Sequence, residues 1–476
     1  MPQVHGLPVL VLAALAACAP QQPMSDAPRA RNVILFIGDG MGPSTVTAAR
    51  IFAGQQSGLA GEEYSLPFEK FPRLALVKTY NTDTQVADSA GTATAMYTGQ
   101  KTRAGVIAVG PQAHKRNCEE GLVHPLVTIA EIAHARGHDV GIVTTARITH
   151  ATPAALYAHS PERDWESDRF MTEVDITAGC RDIARQLVSS APGALDVVLG
   201  GGRREFLGRN HGGERRDPDA NLVQEWLQAA RDRHYVDTAA ELRRLPPSVD
   251  VLGLFSDSHM TYVAERADDT TEPTISEMTA MAIDRLADGP GYFLMVEGGR
   301  IDHGHHDSKP GYALLEAQQF ANAVDVALQK VDLADTLILV TADHSHVFTI
   351  SGYPTRGNPI LGLVVENDAS GEPLNSPSLA TDGKPYTTLG YANGTNSVSG
   401  RERQVPETGI HAVYQSTLTV PYDEIDGTTS YDETHGGEDV ALYSIGAGSE
   451  KVSGVIEQNV IFDIMMNAFG WSRADR

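Results

Sequence analysis

The stretch that decides the fold is RNVILFIGDGMG, residues 31–42. Residues 31–37 predict a short strand of the buried type, because the run is apolar from Val33 to Ile37 and leads straight into a glycine-rich turn with one aspartate. Two further runs of the same character, residues 291–296 and 335–341, also end in an acidic residue flanked by glycine or histidine. A buried apolar strand that ends in a carboxylate therefore occurs three times in this chain.

Further predicted strands alternate with predicted helices along the chain. Further strands are predicted at residues 139–144, 194–199 and 440–445, and helices at residues 128–136, 314–331 and 456–468. Near-continuously apolar strands that alternate with helices are typical of a parallel sheet covered on both sides. The sequence therefore predicts an α/β fold, doubly wound, with a mostly parallel central sheet and helices on both faces.

Residues 351–430 have a different texture. They are rich in Gly, Pro, Asn, Ser and Thr and have few periodic apolar positions. We predict an insertion of short strands and loops, because a structureless loop of this length is implausible in a compact domain. The α/β core would then comprise residues 31–350 and 431–476.

Composition excludes several classes of protein. The 476 residues include 61 acidic and 37 basic side chains, for a net charge of −24. A nucleic-acid-binding surface is therefore not expected, whereas a small anionic substrate is compatible with bound cations that reverse the local field. Only three cysteines are present, too few for a disulfide-dense scaffold or a four-cysteine zinc finger.

The N-terminus predicts export. Residues 7–17 form an apolar run too short to span a bilayer, so residues 1–18 are interpreted as a signal peptide. The run ends in a box that resembles a bacterial lipoprotein site, which would lipidate Cys18; ordinary cleavage near Ala17 is the alternative. Residues 19–30 are a polar, proline-rich linker. We expect a periplasmic protein, or a membrane-anchored lipoprotein facing the periplasm, in which Cys118 and Cys180 either pair or remain free.

The acidic residues at the strand ends, Asp39, Glu297 and Asp343, predict a metal centre. Sites in open parallel sheets form at the carboxyl ends of strands, and clustered buried carboxylates repel each other unless cations neutralise them. Histidines accompany these acids in DHGHHD (residues 302–307), in His344 and in His435. Asp302 and His306, four residues apart, would share one side of a helical turn. Mixed Asp and His ligands favour Zn²⁺, and an all-oxygen set suits Mg²⁺.

Ser89, in DSAGTATA (residues 88–95), would lie at a helix N-terminus, where backbone N–H groups favour anions. One interpretation is an ordinary helix cap. The other is a nucleophile whose hydroxyl is deprotonated by a bound metal. No GxSxG motif surrounds this serine, so a Ser-His-Asp hydrolase is not indicated.

Six motifs together resemble those of alkaline phosphatases and occur in the order found in that family. They are NVILFIGDGMG, DSAGTATA, HATPAA, VEGGRIDHGHH, TADHSH and ETHGGEDV. The resemblance implies an alkaline phosphatase-like fold with a crown-type insertion, and a phosphomonoesterase that holds two Zn²⁺ and one Mg²⁺ per subunit. It also implies a homodimer that acts on small phosphomonoesters and releases inorganic phosphate.

The resemblance assigns roles to individual positions. Ser89 matches the nucleophile that forms a covalent phosphoserine, and Arg163 matches the arginine that clamps the phosphate. The ligand positions are Asp302, His306 and His435 for the first zinc, Asp39, Asp343 and His344 for the second, and Asp39, Thr152 and Glu297 for magnesium. His150 and His303 match variable positions beside the metals, and we expect them to tune the ions without binding them. Cys118 and Cys180 match a disulfide of the family.

Departures and alternatives remain. Animal members have an additional calcium site with an acid directly after Gly-Leu-Phe, where this chain has Ser256 and then Asp257, so we expect no fourth metal. A related enzyme of the same metal-binding architecture, such as a phosphodiesterase, sulfatase or phosphoglycerate mutase, is one alternative. A non-enzymatic exported metal-binding protein is another, although metal storage requires neither Ser89 nor Arg163.

Overall fold

The computed structural model describes residues 1–2, 29–190, 194–246, 249–423 and 429–472. The predicted signal peptide beyond its first two residues, Cys18 and most of the linker lie outside the described residues. Among the helices in the described part of the chain, none has both the length and the apolar character needed to cross a membrane.

A ten-stranded sheet forms the centre of the fold, in the order β17-β2-β16-β8-β1-β7-β3-β4-β6-β5. Its strands are β1 (Asn32–Gly38), β2 (Arg73–Lys78), β3 (Asp139–Arg147), β4 (Val197–Gly201), β5 (Arg233–Val236), β6 (Asp250–Leu254), β7 (Tyr292–Gly298), β8 (Thr336–Ala342), β16 (Val440–Gly446) and β17 (Gly454–Glu457). Only β16 runs antiparallel to its neighbours, β2 and β8, so the sheet is mostly parallel, as predicted. Strand β1 lies between β7 and β8, and every residue of these three strands is buried.

Helices cover both faces of this sheet, which confirms the predicted layers. They are α1 (Pro43–Gln56), α2 (Ser89–Thr98), α3 (Cys118–Val123), α4 (Ile129–Ala135), α5 (Ala151–Ala154), α6 (Glu173–Ala178), α7 (Ile183–Val188), α8 (Leu222–Ala229), α9 (Ala239–Leu242), α10 (Ile275–Leu286), α11 (Arg300–His306), α12 (Pro310–Lys330) and α13 (Val460–Phe469). Short 3₁₀ helices occur at Pro67–Lys70, Asp168–Phe170, Arg203–Glu205, Arg209–His211, Val263–Glu265 and Ser449–Lys451. Helix α12 packs against β1 and β7, with Phe320 edge-on to Phe36. Helix α13 also contacts β1.

The remaining strands are short. They are β9 (Ser345–His346), β10 (Phe348–Ile350), β11 (Leu389–Asn393), β12 (Ser416–Leu418), β13 (Tyr422–Asp423), β14 (Thr429–Ser430) and β15 (His435–Gly436). Strands β10, β11 and β12 form a three-stranded sheet, so the short strands predicted for residues 351–430 are present. The exact limits of the insertion stay a prediction, because β10 precedes residue 351 and pairs with β11 inside the insertion.

The prediction for the last helix was wrong at its start. Residues 456 and 457 belong to β17, and the helix begins at Val460. Strand β17 pairs in parallel with β2, with Ile456 opposite Val77, so pairing at the sheet edge overrides the helical periodicity of the local sequence.

Cys118 and Cys180 form a disulfide between residues 62 positions apart. The two sulfurs are buried with Trp165 and Met171 in a small apolar cluster separate from the main core. The alternative of two free thiols is therefore wrong.

Candidate metal centre

Strand register places three acidic residues side by side. Gly38 of β1 pairs with Gly298 of β7 and with Ala342 of β8, so the carboxyl ends of the three strands are level. Asp39 and Asp343 directly follow β1 and β8, and Glu297 is the penultimate residue of β7. All three side chains are completely buried. The prediction that these strand ends meet is confirmed.

A first group of ligands lies where α11, β9 and β15 converge. Asp302, His306, His346 and His435 each offer a ligand atom within 4.8 Å of the others. Asp302 Oδ1 lies 3.3 Å from His306 Nε2 and 3.5 Å from His435 Nε2, and the two Nε2 atoms are 3.2 Å apart. One turn of α11 brings Asp302 and His306 together, as their spacing predicted.

A second group surrounds His344. Its Nε2 lies 3.5 Å from Asp39 Oδ1 and 3.3 Å from Asp343 Oδ2. The Oγ of Ser89 is 3.2 Å from the same nitrogen, so the serine hydroxyl reaches the centre of this group. Asp343 is held in place through Oδ1, which accepts hydrogen bonds from the backbone N–H groups of Gly40 and His344.

A third group contains Asp39, Glu297 and His150, again with ligand atoms within 4.8 Å of one another. Glu297 accepts a hydrogen bond from Thr144 through Oε2, whereas its Oε1 has no hydrogen-bond partner of normal geometry among the described residues. The buried hydroxyl of Thr152 interacts with Glu297 and lowers its pKa, but it makes no hydrogen bond of normal geometry in the described part of the chain. Asp39 belongs to both the second and the third group, and neither of its carboxylate oxygens accepts a hydrogen bond of normal geometry from the described residues.

The histidine tautomers prepare these groups for cations. The Nδ1 atoms of His306, His344 and His435 donate to the backbone carbonyls of Glu433, Ser345 and Ala87, respectively. Each Nε2 is therefore left with a lone pair that faces the carboxylates. Metal-binding histidines are fixed in this way by a hydrogen bond at the other ring nitrogen.

The pKa values of the buried acids also indicate a site for cations. Burial and the neighbouring carboxylates, Asp343 foremost among them, raise the pKa of Asp39 well above its usual value. Burial also raises the pKa of Glu297 to about 7. Buried carboxylates with unpartnered oxygens are costly unless a cation is nearby. Burial also lowers the pKa of His344 well below the usual range, which keeps this imidazole neutral. The residues present therefore fit divalent cations.

Ser89 is the first residue of α2 and is almost fully buried. The preceding Asp88 is the helix cap, because its side chain accepts from the N–H of Gly91. Asp88 Oδ2 also accepts from Arg163 Nη1 at 3.2 Å, which holds the guanidinium near the helix N-terminus. Arg163 would pass for a surface residue by composition alone, yet the structure brings it to this site.

His150, a member of the third group, lies with His303 and His259 in a cluster of three rings. The ring centroids of His259 and His303 are 4.1 Å apart, and His150 is edge-on to both. Arg163 Nη2 lies 3.2 Å from His150 Nε2, and Arg300 Nη1 lies 3.1 Å from His303 Nδ1. Burial, followed by the nearby guanidinium groups, lowers the pKa of His150 and of His303 well below the usual value.

Sequence reasoning missed His259, His346 and Glu433. His259 follows β6 by five residues, so the rule that sites form at the carboxyl ends of strands could have identified it. His346 lies two residues after His344, a spacing that puts both on one side of an extended segment. Glu433 is the first residue of the motif ETHGGEDV, but the local sequence gives it no role, because its contacts come from distant parts of the chain.

Comparison with known proteins agrees with this geometry. Residues 30–471 match the alkaline phosphatase family. The chain is 45% identical over 452 residues to the tissue-nonspecific alkaline phosphatase isozyme of Gallus gallus, covering 91% of this chain and 83% of the relative. It is 42% identical over 452 residues to an alkaline phosphatase of Gadus morhua, covering 91% and 90%.

Solved structures show the same fold. The alkaline phosphatase of Thermus thermophilus superposes with a TM-score of 0.65 at 23% identity, covering 97% of this chain and 96% of that one. A cold-active alkaline phosphatase from Shewanella sp. gives a TM-score of 0.62 at 26% identity, covering 92% and 99%. The family match over nearly all of the described chain, together with the grouped acids and imidazoles, shows that this protein belongs to the alkaline phosphatase family and is a metal-dependent phosphomonoester hydrolase.

Proposed function

We propose that the chain hydrolyses phosphate monoesters through a covalent phosphoserine on Ser89, with two Zn²⁺ and one Mg²⁺ per subunit. The observation that carries this proposal is the position of Ser89 Oγ. It lies 3.2 Å from His344 Nε2, within a group whose acidic members have unpartnered oxygens. A serine that merely capped the helix would not need this position, and Asp88 already supplies the cap.

The donor sets suggest which ion each group would hold. Asp302, His306 and His435 combine one carboxylate with two imidazoles, and Asp39, Asp343 and His344 combine two carboxylates with one imidazole; both sets suit Zn²⁺. The oxygens of Asp39, Glu297 and Thr152 suit Mg²⁺, although His150 is also near enough to contribute a nitrogen. When bound, the ions would supply positive charge that stabilises the phosphoryl oxygens and lowers the pKa of a coordinated hydroxyl.

The protein's own side chains would bind and orient the substrate. The Arg163 guanidinium would donate to two non-bridging oxygens of the phosphate, a geometry that lysine does not reproduce. Asp88 would keep that guanidinium at the N-terminus of α2. The Ser89 oxygen would attack phosphorus while the bond to the alcohol breaks, and water would then cleave the phosphoserine to release inorganic phosphate.

The side chains at the position of the calcium-type site of animal members have partners within this chain. Asp257 accepts a hydrogen bond from Arg203 Nε at 2.9 Å, and the Ser256 hydroxyl donates to the carbonyl of His259. Both side chains therefore have protein partners.

Activity is expected to follow the metal. Purified protein should hydrolyse p-nitrophenyl phosphate much faster than the bis-ester, and metal analysis should find about three ions per chain. Removal of the ions with a chelator should abolish hydrolysis, since the grouped acids would then lack their cations. Zinc with magnesium should restore it.

Three outcomes would contradict the proposal. An active preparation without metal would exclude the metal-dependent mechanism. Faster hydrolysis of the bis-ester would favour a phosphodiesterase of the same architecture, and metal binding without any hydrolysis would favour the non-enzymatic alternative.

We also propose a homodimer that uses the edge of the central sheet. Leu74 and Leu76 on β2 are 53% and 42% exposed, and Val455, opposite Leu76 on β17, is 57% exposed. These side chains form an apolar surface that a second copy of the chain would cover. Light scattering should give the mass of a dimer, and Leu76→Arg should shift it towards the monomer. A wild-type monomer would exclude this arrangement.

Location in the cell is a further proposal. The apolar run of residues 7–17, directly followed by Cys18, supports export, then lipidation of that cysteine and anchoring at the periplasmic side of a membrane. Mass spectrometry of the mature N-terminus decides between a lipidated Cys18 and simple cleavage near Ala17.

A further inference from the structure

Glu433 is a buried acid outside the predicted ligand sets, and it contacts the first metal group at two points. Its side chain is 1% exposed. Its Oε2 accepts a hydrogen bond from His346 Nδ1 at 2.5 Å, and its Oε1 accepts from the backbone N–H of Val347 at 2.8 Å. Its backbone carbonyl accepts from His306 Nδ1 at 2.5 Å. One residue thus holds two imidazoles of the same group.

The ring of His346 also contacts a predicted ligand. His346 Nε2 lies 2.7 Å from Asp302 Oδ1, so His346 connects Glu433 to the carboxylate of the first group. Both ring nitrogens of His346 therefore face carboxylates. A ring held at both ends in this way is not free to turn towards an ion.

We propose that Glu433 is a positioning residue for the first metal site, acting on Asp302 through His346 and on His306 through its own carbonyl. This inference rests on the proposed function only in taking Asp302, His306 and His435 as the ligands. His346 would then orient Asp302 rather than bind the ion, which leaves three protein ligands. Three ligands with a free position are typical of a catalytic zinc site, whereas four are typical of a structural one.

The pairing of β9 with β15 explains how this arrangement forms. His346 pairs with His435 in the antiparallel bridge between the two strands. Glu433 lies two residues before His435, so the same pairing brings its carboxylate to His346. The backbone N–H of Glu433 also donates to the carbonyl of His306, which ties this segment to α11.

The test measures zinc retention by apo-protein reconstituted in a zinc buffer that just saturates the wild type. Glu433→Ala should lower the affinity of the first site by about tenfold to a hundredfold, as loss of a ligand's orienting partner usually does. The variant should therefore hold about one zinc ion fewer per chain than the wild type. His306→Ala, which removes a ligand, gives the reference for complete loss of the site.

Glu433→Gln tests whether the hydrogen bonds of this side chain, and not its charge, maintain the zinc affinity. The amide can still accept from Val347 and donate to His346 Nδ1, which leaves the Nε2 hydrogen for Asp302. We expect its affinity to stay within about threefold of the wild type. A loss equal to that of Glu433→Ala would overturn the proposal, and this comparison stands even if the alanine variant does not fold.

Coupling to His346 gives a second criterion. If Glu433 acts on Asp302 through His346, most of the effect of Glu433→Ala should disappear in a His346→Ala background. Fully additive losses would overturn the proposal. The matched control is Glu205→Ala: Glu205 is also 1% exposed, and its side chain accepts from Ser167 and Arg204. That variant should lose thermal stability but retain its zinc.

Failure of this inference differs from failure of the proposed function. Unchanged zinc retention in Glu433→Ala, with a wild-type protein that binds zinc and hydrolyses phosphate, overturns only the role of Glu433. A wild-type protein that binds no zinc overturns the proposed function itself.

Discussion

Ser89→Ala is expected to abolish phosphoenzyme formation and to lower kcat by roughly three orders of magnitude or more. The hydroxyl lies at the N-terminus of α2 and 3.2 Å from His344 Nε2. A residual rate should remain, because Arg163 and the metal groups are unchanged. Quenching a reaction at low pH and analysing peptides by mass spectrometry would show the phosphoserine in the wild type and not in the variant.

The matched control is Thr98→Val, in the same helix. The Thr98 hydroxyl is also buried, but it donates to the carbonyl of Thr94 at the far end of α2. This variant should still form the phosphoenzyme. Wild-type kinetics in Ser89→Ala, or a phosphopeptide that maps elsewhere, would refute the assignment of the nucleophile.

The second large effect is expected for Asp39→Asn. Asp39 is shared by two metal groups, so its charge would serve two ions at once. We expect the loss of more than one metal ion per chain and a fall in activity of at least about a thousandfold, since even partners of ligands cost ten- to a hundredfold. Metal analysis and the phosphatase assay on the same preparation would check both.

The same substitution should stabilise the metal-free protein at alkaline pH. The pKa of Asp39 is raised in the folded state, so its contribution to stability is present at low pH and is lost as the pH rises and the buried carboxyl must ionise. Asparagine removes this penalty. Thermal unfolding at pH 8 should therefore show a higher Tm for the metal-free variant than for the metal-free wild type, and the reverse order once metal is added.

Asp196→Asn provides the control for this reversal. Asp196 precedes β4 at the amino end of the sheet, and burial raises its pKa to about 7. Its replacement should also stabilise the protein at pH 8, yet the increase in Tm on adding metal should stay as in the wild type. Equal metal responses in Asp39→Asn and Asp196→Asn would show that Asp39 is not a ligand.

Much of the centre could be predicted because its acids mark the ends of strands. Asp39, Glu297 and Asp343 are recognisable since a buried apolar strand rarely ends in a carboxylate without a reason, and parallel strands bring those ends together. Asp302 and His306 were found from their helical spacing. These residues needed only local patterns and one rule about sheets.

The contacts of the supporting residues could not be predicted in this way. Glu433 reaches His346 across 87 positions in the sequence, and only the pairing of β9 with β15 brings them together. His259 meets His303 because a loop after β6 folds over α11, a contact that no periodicity reports. The predicted start of the last helix was wrong for a related reason, because pairing with β2 decides the conformation of residues 456 and 457.

The disulfide makes the stability of part of the candidate site depend on the redox state of the surroundings. The covalent ring from Cys118 to Cys180 encloses His150, Thr152 and Arg163, whereas Asp302, Asp343 and His435 lie outside it. Closing a loop of this length contributes about 4 kcal/mol in the chain-entropy model. Material made in a reducing cytosol would lack this cross-link, and we expect the loss of stability to affect the enclosed segment, which carries Arg163, more than Asp302, Asp343 and His435. We therefore expect recombinant protein folded under oxidising conditions to be more stable than protein made in a reducing cytosol.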